Sequence, residues 1–95
     1  MTPIQAFKFM QSKRLDFKAL MILEQMSGYP SRVLTNQVVM DSIMEKISSP
    51  ATTYKYISRL KKHKYIKDVR VKDQDERCHY IEITDTGREL IKEWL

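Results

Sequence analysis

The hydrophobic residues in the first half of the chain recur every three or four positions, which is the spacing of one helix face. Thr2-Pro3-Ile4-Gln5 combines an N-cap threonine, a proline at the first helical position and a glutamine that can complete a capping box. These signals predict a helix over about 3–12. Asp16 is an N-cap candidate for a second helix, which Gly28-Tyr29-Pro30 ends.

Two further helices are predicted between the second helix and the first strand. Thr35 is expected to cap a helix over about 36–47. Its expected inward residues are Val39, Ile43 and Ile47. Ser49-Pro50 supplies an N-cap and a first-turn proline, which predicts a fourth helix over about 50–63.

The hydrophobic period changes after the fourth helix. Residues 66–71 and 80–83 are rich in β-branched and aromatic residues, and the polar stretch between them predicts a β-hairpin over about 66–84. Thr84 can then cap a last helix over about 85–95. The order α-α-α-α-β-β-α is mainly helical with a small hairpin. A helix-turn-helix, here about 36–63, followed by a hairpin is the winged helix-turn-helix arrangement.

Length and hydropathy limit the class of protein. Ninety-five residues correspond to one domain, so we expect residues 1–95 to form a single winged-helix domain. The longest apolar run, Ala19–Leu23, holds five residues, whereas a membrane-spanning helix needs about 18. The start of the chain also lacks a signal-peptide pattern. We therefore expect a cytoplasmic protein that does not associate with a membrane.

The chain offers few residues for catalysis or metal binding. Its one cysteine, Cys78, excludes an internal disulfide, and together with His63 and His79 it falls short of the four ligands of a structural zinc site. The two glycines form no phosphate-binding loop or dinucleotide fingerprint. We expect no enzymatic activity, no metal and no cofactor.

The net charge of +5 is concentrated in one segment. Residues 49–67 carry six Lys or Arg residues and no acid, whereas residues 1–48 have a net charge of +2 and residues 68–95 a net charge of −3. A basic stretch confined to one segment is expected of a nucleic-acid contact, although a solvated helix face is also compatible with it.

A helical wheel of residues 50–63 separates two faces. The side that can be buried holds Thr53, Tyr56, Ile57 and Leu60. The opposite side holds Ala51, Thr52, Lys55, Ser58, Arg59 and Lys62. Small residues permit close approach to a DNA groove, while Lys and Arg reach base edges or phosphates. The pattern therefore favours a helix that enters the major groove.

Three short motifs occur in an order that resembles MarR-type winged-helix transcriptional regulators. Ser49-Pro50-Ala51-Thr52 with Arg59-Leu60-Lys61-Lys62 resembles their recognition helix, Asp75-Glu76-Arg77 resembles their D-x-R wing motif, and Ile83-Thr84-Asp85-Thr86-Gly87 resembles their L-T-x-x-G stretch. The resemblance covers about residues 16–90. It implies a sequence-specific regulator that binds double-stranded DNA, expected to be a repressor, and it identifies no small-molecule effector.

The resemblance also implies roles for single residues. Major-groove and phosphate contacts are implied for Ser49, Ala51, Thr52, Lys55 and Arg59, to which the helical wheel adds Ser58 and Lys62. Tyr54 either contacts the DNA backbone or packs at the flank of the helix. Arg77 takes the place of the wing arginine that enters the minor groove, oriented by Asp75, and its alternative is a salt bridge within a charged loop. Lys64 stands where the family has glycine, so we expect the helix to end differently here.

A homodimer is expected from the two terminal helices, about 3–12 and 85–95. Together they offer more apolar surface than two short helices of a small domain need, and such a surface marks an interface. The expected interface residues are Ile4, Phe7, Met10, Leu90, Ile91 and Trp94. The alternative is that the two helices pack on each other within one chain. Two rival functions also stay open: a winged helix that binds protein instead of DNA, and a replication or partition factor.

Overall fold

Five helices and three short strands make up residues 2–70 and 79–94, the part of the chain that the computed structural model describes. The elements in order are α1 (Pro3–Lys13), α2 (Phe17–Ser27), β1 (Val33–Leu34), α3 (Thr35–Met44), α4 (Pro50–Lys62), β2 (Ile66–Val69), β3 (Tyr80–Ile83) and α5 (Asp85–Trp94). The predicted fold class, a mainly helical winged helix-turn-helix with a small hairpin, is confirmed. In these described residues, no helix is both long and apolar enough to cross a membrane.

Capping interactions begin three of the helices where the sequence places them. At α1, the Gln5 N–H donates to the Thr2 hydroxyl oxygen at 3.2 Å and the Thr2 N–H donates to the Gln5 side-chain oxygen at 2.9 Å, which completes the capping box. Asp16 caps α2 and Ser49 caps α4. These local signals act over three residues, which explains why the sequence alone predicts them.

The helix α3 differs from its prediction in length and in its buried face. Its N-cap is Leu34, and it ends at Met44 because Lys46 adopts a left-handed backbone with φ 56°, which cannot continue a right-handed helix. Ile43 is 47% exposed, so its predicted inward position is wrong. The residues that α3 buries are Val38, Val39 and Ser42. On this face the buried Ser42 hydroxyl donates to the Gln25 side-chain oxygen of α2 at 2.9 Å, which satisfies its polar group in the core.

The strands form one antiparallel sheet in the order β1-β3-β2. The hairpin of β2 and β3 is confirmed by the pairing of Ile66 with Ile83, while β1 is an additional strand that pairs Val33 with Ile81. The tip of the predicted wing lies outside the described residues, and so do Asp75 and Arg77.

The core is built around α2 and includes α5. The buried residues of α2 are Ala19, Leu20, Ile22, Leu23 and Met26. From α5, Leu90 and Ile91 join the same cluster with 3% and 5% of their surface exposed. The expectation that these two residues form a contact with a second chain is therefore wrong, because α5 packs its apolar face against the core of its own chain. The helix α1 buries none of its residues.

A compact junction joins the end of α4 to the start of α5. Lys64 adopts the left-handed conformation with φ 65°, so the expectation of a different helix end is wrong: the lysine takes the conformation that glycine allows more easily. The Thr84 hydroxyl donates to the Lys64 carbonyl at 2.8 Å and accepts from the Gly87 N–H at 3.1 Å. A Cβ on Gly87 would lie 2.3 Å from the Tyr65 carbonyl oxygen. The Thr-x-x-Gly motif thus positions the wing and α5 against α4.

Candidate nucleic-acid interface

The surface of α4 that points away from the core carries four exposed residues, Ala51, Lys55, Ser58 and Lys62. We call these four residues the outward face. The opposite side of the helix is buried through Thr53, Ile57 and Leu60. The two small side chains, Ala51 and Ser58, alternate along the helix with the two lysines, Lys55 and Lys62. This arrangement suits close approach to a groove together with long-range contact to phosphates.

Hydroxyl groups fix the start of α4 and thereby the direction of the outward face. The Ser49 hydroxyl oxygen accepts from the Thr52 N–H at 3.4 Å, and its hydroxyl donates to the Thr52 side-chain oxygen at 2.9 Å. The buried Thr53 donates to the Ser49 carbonyl at 2.9 Å and its hydroxyl also contacts that of Ser48. Ser49 and Thr52, both expected as DNA contacts, therefore lie together at the first turn of α4.

Tyr54 and Lys61 lie on one flank of α4, where both are bonded to neighbouring elements. The Tyr54 hydroxyl donates to the Asn36 side-chain oxygen at the start of α3 at 2.9 Å, and the tyrosine is 46% exposed. Lys61 Nζ lies 2.9 Å from an Asp68 carboxylate oxygen of β2. The contact with Asn36 holds the Tyr54 hydroxyl at the flank of the helix and leaves the exposed ring able to contact a DNA backbone.

Arg59, which the helical wheel puts on the side opposite the core, borders the outward face, and its side chain turns towards α2. Its Nη1 is 3.7 Å from Oδ2 of Asp16, and its guanidinium carbon is 5.4 Å from the centroid of the Tyr56 ring. The Tyr56 hydroxyl donates to the same Asp16 oxygen at 2.5 Å, and this hydrogen bond is the largest of the effects that raise the pKa of Tyr56. The wheel could not show this contact because Asp16 belongs to α2.

The two lysines of the outward face differ from the other basic residues of α4. Throughout residues 2–70 and 79–94, no acid forms a salt bridge with Lys55 or Lys62, whereas Arg59 and Lys61 each have one. The sequence segment without acids is therefore partly neutralised by acids from other elements. Among the described residues, four cations of this segment have no salt bridge, and two of them, Lys55 and Lys62, lie on the outward face.

The base of the wing adds cations that the sequence analysis did not assign. Arg32, just before β1, lies over the ring of Tyr80 with 5.7 Å between the guanidinium carbon and the ring centroid. Arg70, just after β2, is exposed. Arg32 reaches Tyr80 through the pairing of β1 with β3, which are distant in sequence, so no local pattern points to it.

A cavity of about 570 Å³ lies between α2 and α3 and shares no residue with the outward face. At its edge the Tyr29 hydroxyl donates to an Asp41 carboxylate oxygen at 2.5 Å. Burial, followed by this hydrogen bond, raises the pKa of Tyr29 to about 12, so the phenol remains protonated. In the part of the chain described by the structure, no group of three or more His, Cys, Asp or Glu residues could hold a metal ion.

Comparison with known protein families decides what kind of protein carries this interface. The family model for the transcriptional regulators SarA and Rot matches residues 5–94. The chain belongs to the SarA/Rot family of transcriptional regulators. No curated protein sequence matches it significantly.

Solved structures show that this SarA/Rot family member has the fold of MarR-type regulators. A MepR variant from a multidrug-resistant Staphylococcus aureus isolate matches with a TM-score of 0.73 and 18% identity over 95% of this chain and 62% of MepR. FabT of Streptococcus pneumoniae, solved in complex with DNA, matches with a TM-score of 0.65 and 24% identity over 84% of this chain and 52% of FabT.

A third similar structure is ZitR of Lactococcus lactis, a zinc-responsive MarR family member. It matches with a TM-score of 0.65 and 24% identity over 84% of this chain and 51% of ZitR. The chain of the SarA/Rot protein thus spans less than two thirds of the length of these three regulators. The resemblance to MarR-type regulators that the sequence motifs indicate is confirmed.

Proposed function

We propose that this SarA/Rot family member is a sequence-specific regulator that binds double-stranded DNA, with α4 in the major groove and the β2–β3 hairpin as the wing. The observation that carries the proposal is the outward face of α4, where Lys55 and Lys62 are exposed beside Ala51 and Ser58. A solvated surface helix usually mixes acids with its lysines, and this face has none. The complex of the structurally similar FabT with DNA supports the same use of the fold.

The proposed DNA contacts extend from the outward face to its borders. They are Ser49, Ala51, Thr52, Tyr54, Lys55, Ser58, Arg59 and Lys62, with Arg77 of the wing oriented by Asp75. Arg59 is paired with Asp16 in the free chain. To bind DNA in full, its guanidinium would replace the Asp16 carboxylate with a phosphate or a base edge as its partner.

We also propose that the regulator binds as a homodimer through α1. Ile4 and Phe7 are 69% and 59% exposed on this helix, and Phe17 at the start of α2 is 56% exposed. Apolar side chains exposed together favour association with a second copy. A two-fold axis would place two copies of α4 in successive major grooves about 34–36 Å apart.

Selection of bound duplexes from a random pool tests the proposal. We expect a motif with two-fold symmetry, because a symmetric dimer reads two half-sites. A motif without symmetry would contradict the dimer. Failure to enrich any sequence would contradict specific DNA binding and favour a winged helix that binds protein.

Matched lysine variants connect that binding to the outward face. Lys55→Gln and Lys62→Gln should each weaken binding and lower the slope of log affinity against log salt by about one for each bound chain, because each removes a phosphate contact. Lys92→Gln on α5 is the control with the same charge change. Equal losses in all three variants would show that net charge, and not the outward face, drives binding.

We propose repression as the outcome, since a protein that binds across a promoter can block access of the polymerase. Addition of the protein to an in vitro transcription reaction should lower the transcript from a template that carries the selected site. A higher transcript level would make the protein an activator. The same proposal places the regulator in the cytoplasm as a single winged-helix domain over residues 1–95, with no catalytic role.

A further inference from the structure

Asp16 brings an acidic side chain from α2 to the border of the outward face of α4. Its Oδ1 accepts a hydrogen bond from the Ala19 N–H at 2.9 Å and so caps α2, while its Oδ2 accepts from the Tyr56 hydroxyl at 2.5 Å. The same Oδ2 lies 3.7 Å from Nη1 of Arg59. One carboxylate therefore begins one helix and compensates a cation of another.

The contact holds the Arg59 side chain against the Tyr56 ring. The distance of 5.4 Å between the guanidinium carbon and the ring centroid is that of a cation–π contact. Only 38% of the Arg59 side chain is exposed. Lys55 and Lys62 have no such partner in the described part of the chain, so the charge of Arg59 is less available to a phosphate than theirs.

The pair is weak enough to exchange for a better partner. Both side chains are partly exposed and the closest distance between them is 3.7 Å, so solvent screens much of the attraction. A guanine edge or a well-placed phosphate can accept two hydrogen bonds from one guanidinium, which a single long contact does not match. A phosphate in a poorer position gains less from Arg59 and is repelled by Asp16.

We infer that Asp16 is a specificity-determining residue of the proposed DNA interface, which acts by pairing with Arg59 and so lowering affinity for DNA of arbitrary sequence. A duplex that presents an acceptor in the right place recovers the Arg59 interaction, and a scrambled duplex does not. The inference rests on the proposed function. According to this inference, the residue that caps α2 also influences which DNA sequences α4 binds.

Asp16→Asn separates the charge from the helix cap. Asparagine caps helices about as well as aspartate, so Oδ1 can still accept from the Ala19 N–H, and Nδ2 can donate to the Tyr56 hydroxyl oxygen. The variant should retain the thermal stability of the wild type. The pKa of Tyr56, which the carboxylate raises, should fall in a spectrophotometric titration. Glu89→Gln on α5 is the matched control for the loss of one negative charge.

The experiment compares affinities for the selected duplex and for a scrambled duplex of equal length and composition over a range of salt. Asp16→Asn should tighten binding to the scrambled duplex about two- to fivefold for each chain, steepen its salt dependence by about one unit for each chain, and narrow the ratio between the two duplexes. In an Arg59→Gln background, Asp16→Asn should leave the ratio unchanged.

Three results would overturn the inference. An unchanged ratio in Asp16→Asn would show that Asp16 is only a cap, and an equal change in the Arg59→Gln background or in Glu89→Gln would show an effect of total charge. If the wild-type protein binds DNA and one of these three results is found for the variants, only the inference about Asp16 is disproved. A wild-type protein that binds neither duplex disproves the proposed function as well.

Discussion

The helices at the two ends of the described chain, α1 and α5, have similar lengths and both carry large apolar side chains, yet the structure uses them differently. The helix α5 buries Gly87, Leu90 and Ile91, while α1 buries no residue. Their link is aromatic: Trp94 of α5 lies 5.6 Å from Phe9 of α1, measured between ring centroids. One helix therefore belongs to the core and the other is attached to it at one end.

This difference shows that the amount of apolar surface does not decide what a helix packs against. The apolar residues of α5 fall on one narrow face, which the core can cover completely. Those of α1 are spread around the helix, so contact with one neighbour leaves Ile4 and Phe7 in solvent. The sequence predicts an interface through both helices, whereas in the structure the exposed apolar side chains of these two helices lie on α1, to which the proposed dimer is assigned.

The largest expected effect comes from shortening a buried side chain of α5. Leu90→Ala should lower the free energy of unfolding by about 2–5 kcal/mol, because it leaves a cavity in the core. Ile4→Ala on α1 is the matched change at an exposed position and should alter the free energy of unfolding of the monomer by less than about 0.5 kcal/mol. Denaturant titrations of both variants measure the difference. Similar losses in the two variants would show that α1 is as much a part of the core as α5.

A second prediction concerns the junction that anchors α5. Gly87→Ala should lower the free energy of unfolding by about 1–3 kcal/mol, because its Cβ would lie 2.3 Å from a carbonyl oxygen and 2.7 Å from the Ile83 side chain. Gly28→Ala is the control, since Gly28 has a right-handed backbone and its new Cβ would lie 3.3 Å from the nearest carbonyl oxygen. A loss no greater than that of Gly28→Ala would mean that the Thr-x-x-Gly motif does not anchor α5.

Those parts of the fold that depend on neighbours in sequence were predictable. The capping residues Thr2, Asp16 and Ser49 all begin helices as expected, because a cap needs only a side chain and an N–H three residues away. The strand β1 was not predicted. Two residues carry no recognisable period, and this strand exists only because β3 pairs with it from the far end of the chain.

The candidate site shows the same limit. The helical wheel correctly places Thr53, Ile57 and Leu60 on the buried side of α4, since this follows from helix geometry alone, whereas Tyr56 of the same predicted side is only half-buried. The wheel does not show the partner of Arg59, because Asp16 belongs to another helix. The partners of Tyr54 and Lys61 could not be predicted from the sequence either, because Asn36 and Asp68 contact α4 only in the folded chain.

A third prediction concerns the exposed side of α1 and its role in the proposed dimer. Phe7→Glu places a charge on the exposed side of α1 and should weaken the proposed dimer at least about tenfold, as expected for a central apolar contact of an interface. The unfolding of the monomer should change little, since Phe7 is 59% exposed. Sedimentation over a range of concentrations measures the dissociation constant. Lys8→Gln, also on α1, controls for the same change of one unit in net charge, and an equal effect of both variants would contradict a specific contact through Phe7.

The smallest expected effect concerns the ion pair between the two helices. Lys13 Nζ of α1 lies 3.9 Å from a Glu93 carboxylate oxygen of α5, and both side chains are more than a third exposed. Solvent screens such a pair, so a double-mutant cycle of Lys13→Gln and Glu93→Gln should give a coupling energy below about 0.5 kcal/mol. The Phe9–Trp94 contact should couple more strongly, because aromatic pairs add about 0.5–1.5 kcal/mol beyond their burial. A coupling energy for the ion pair above that of the aromatic pair would mean that charge holds α1 in place, and the attachment of α1 would then weaken with salt.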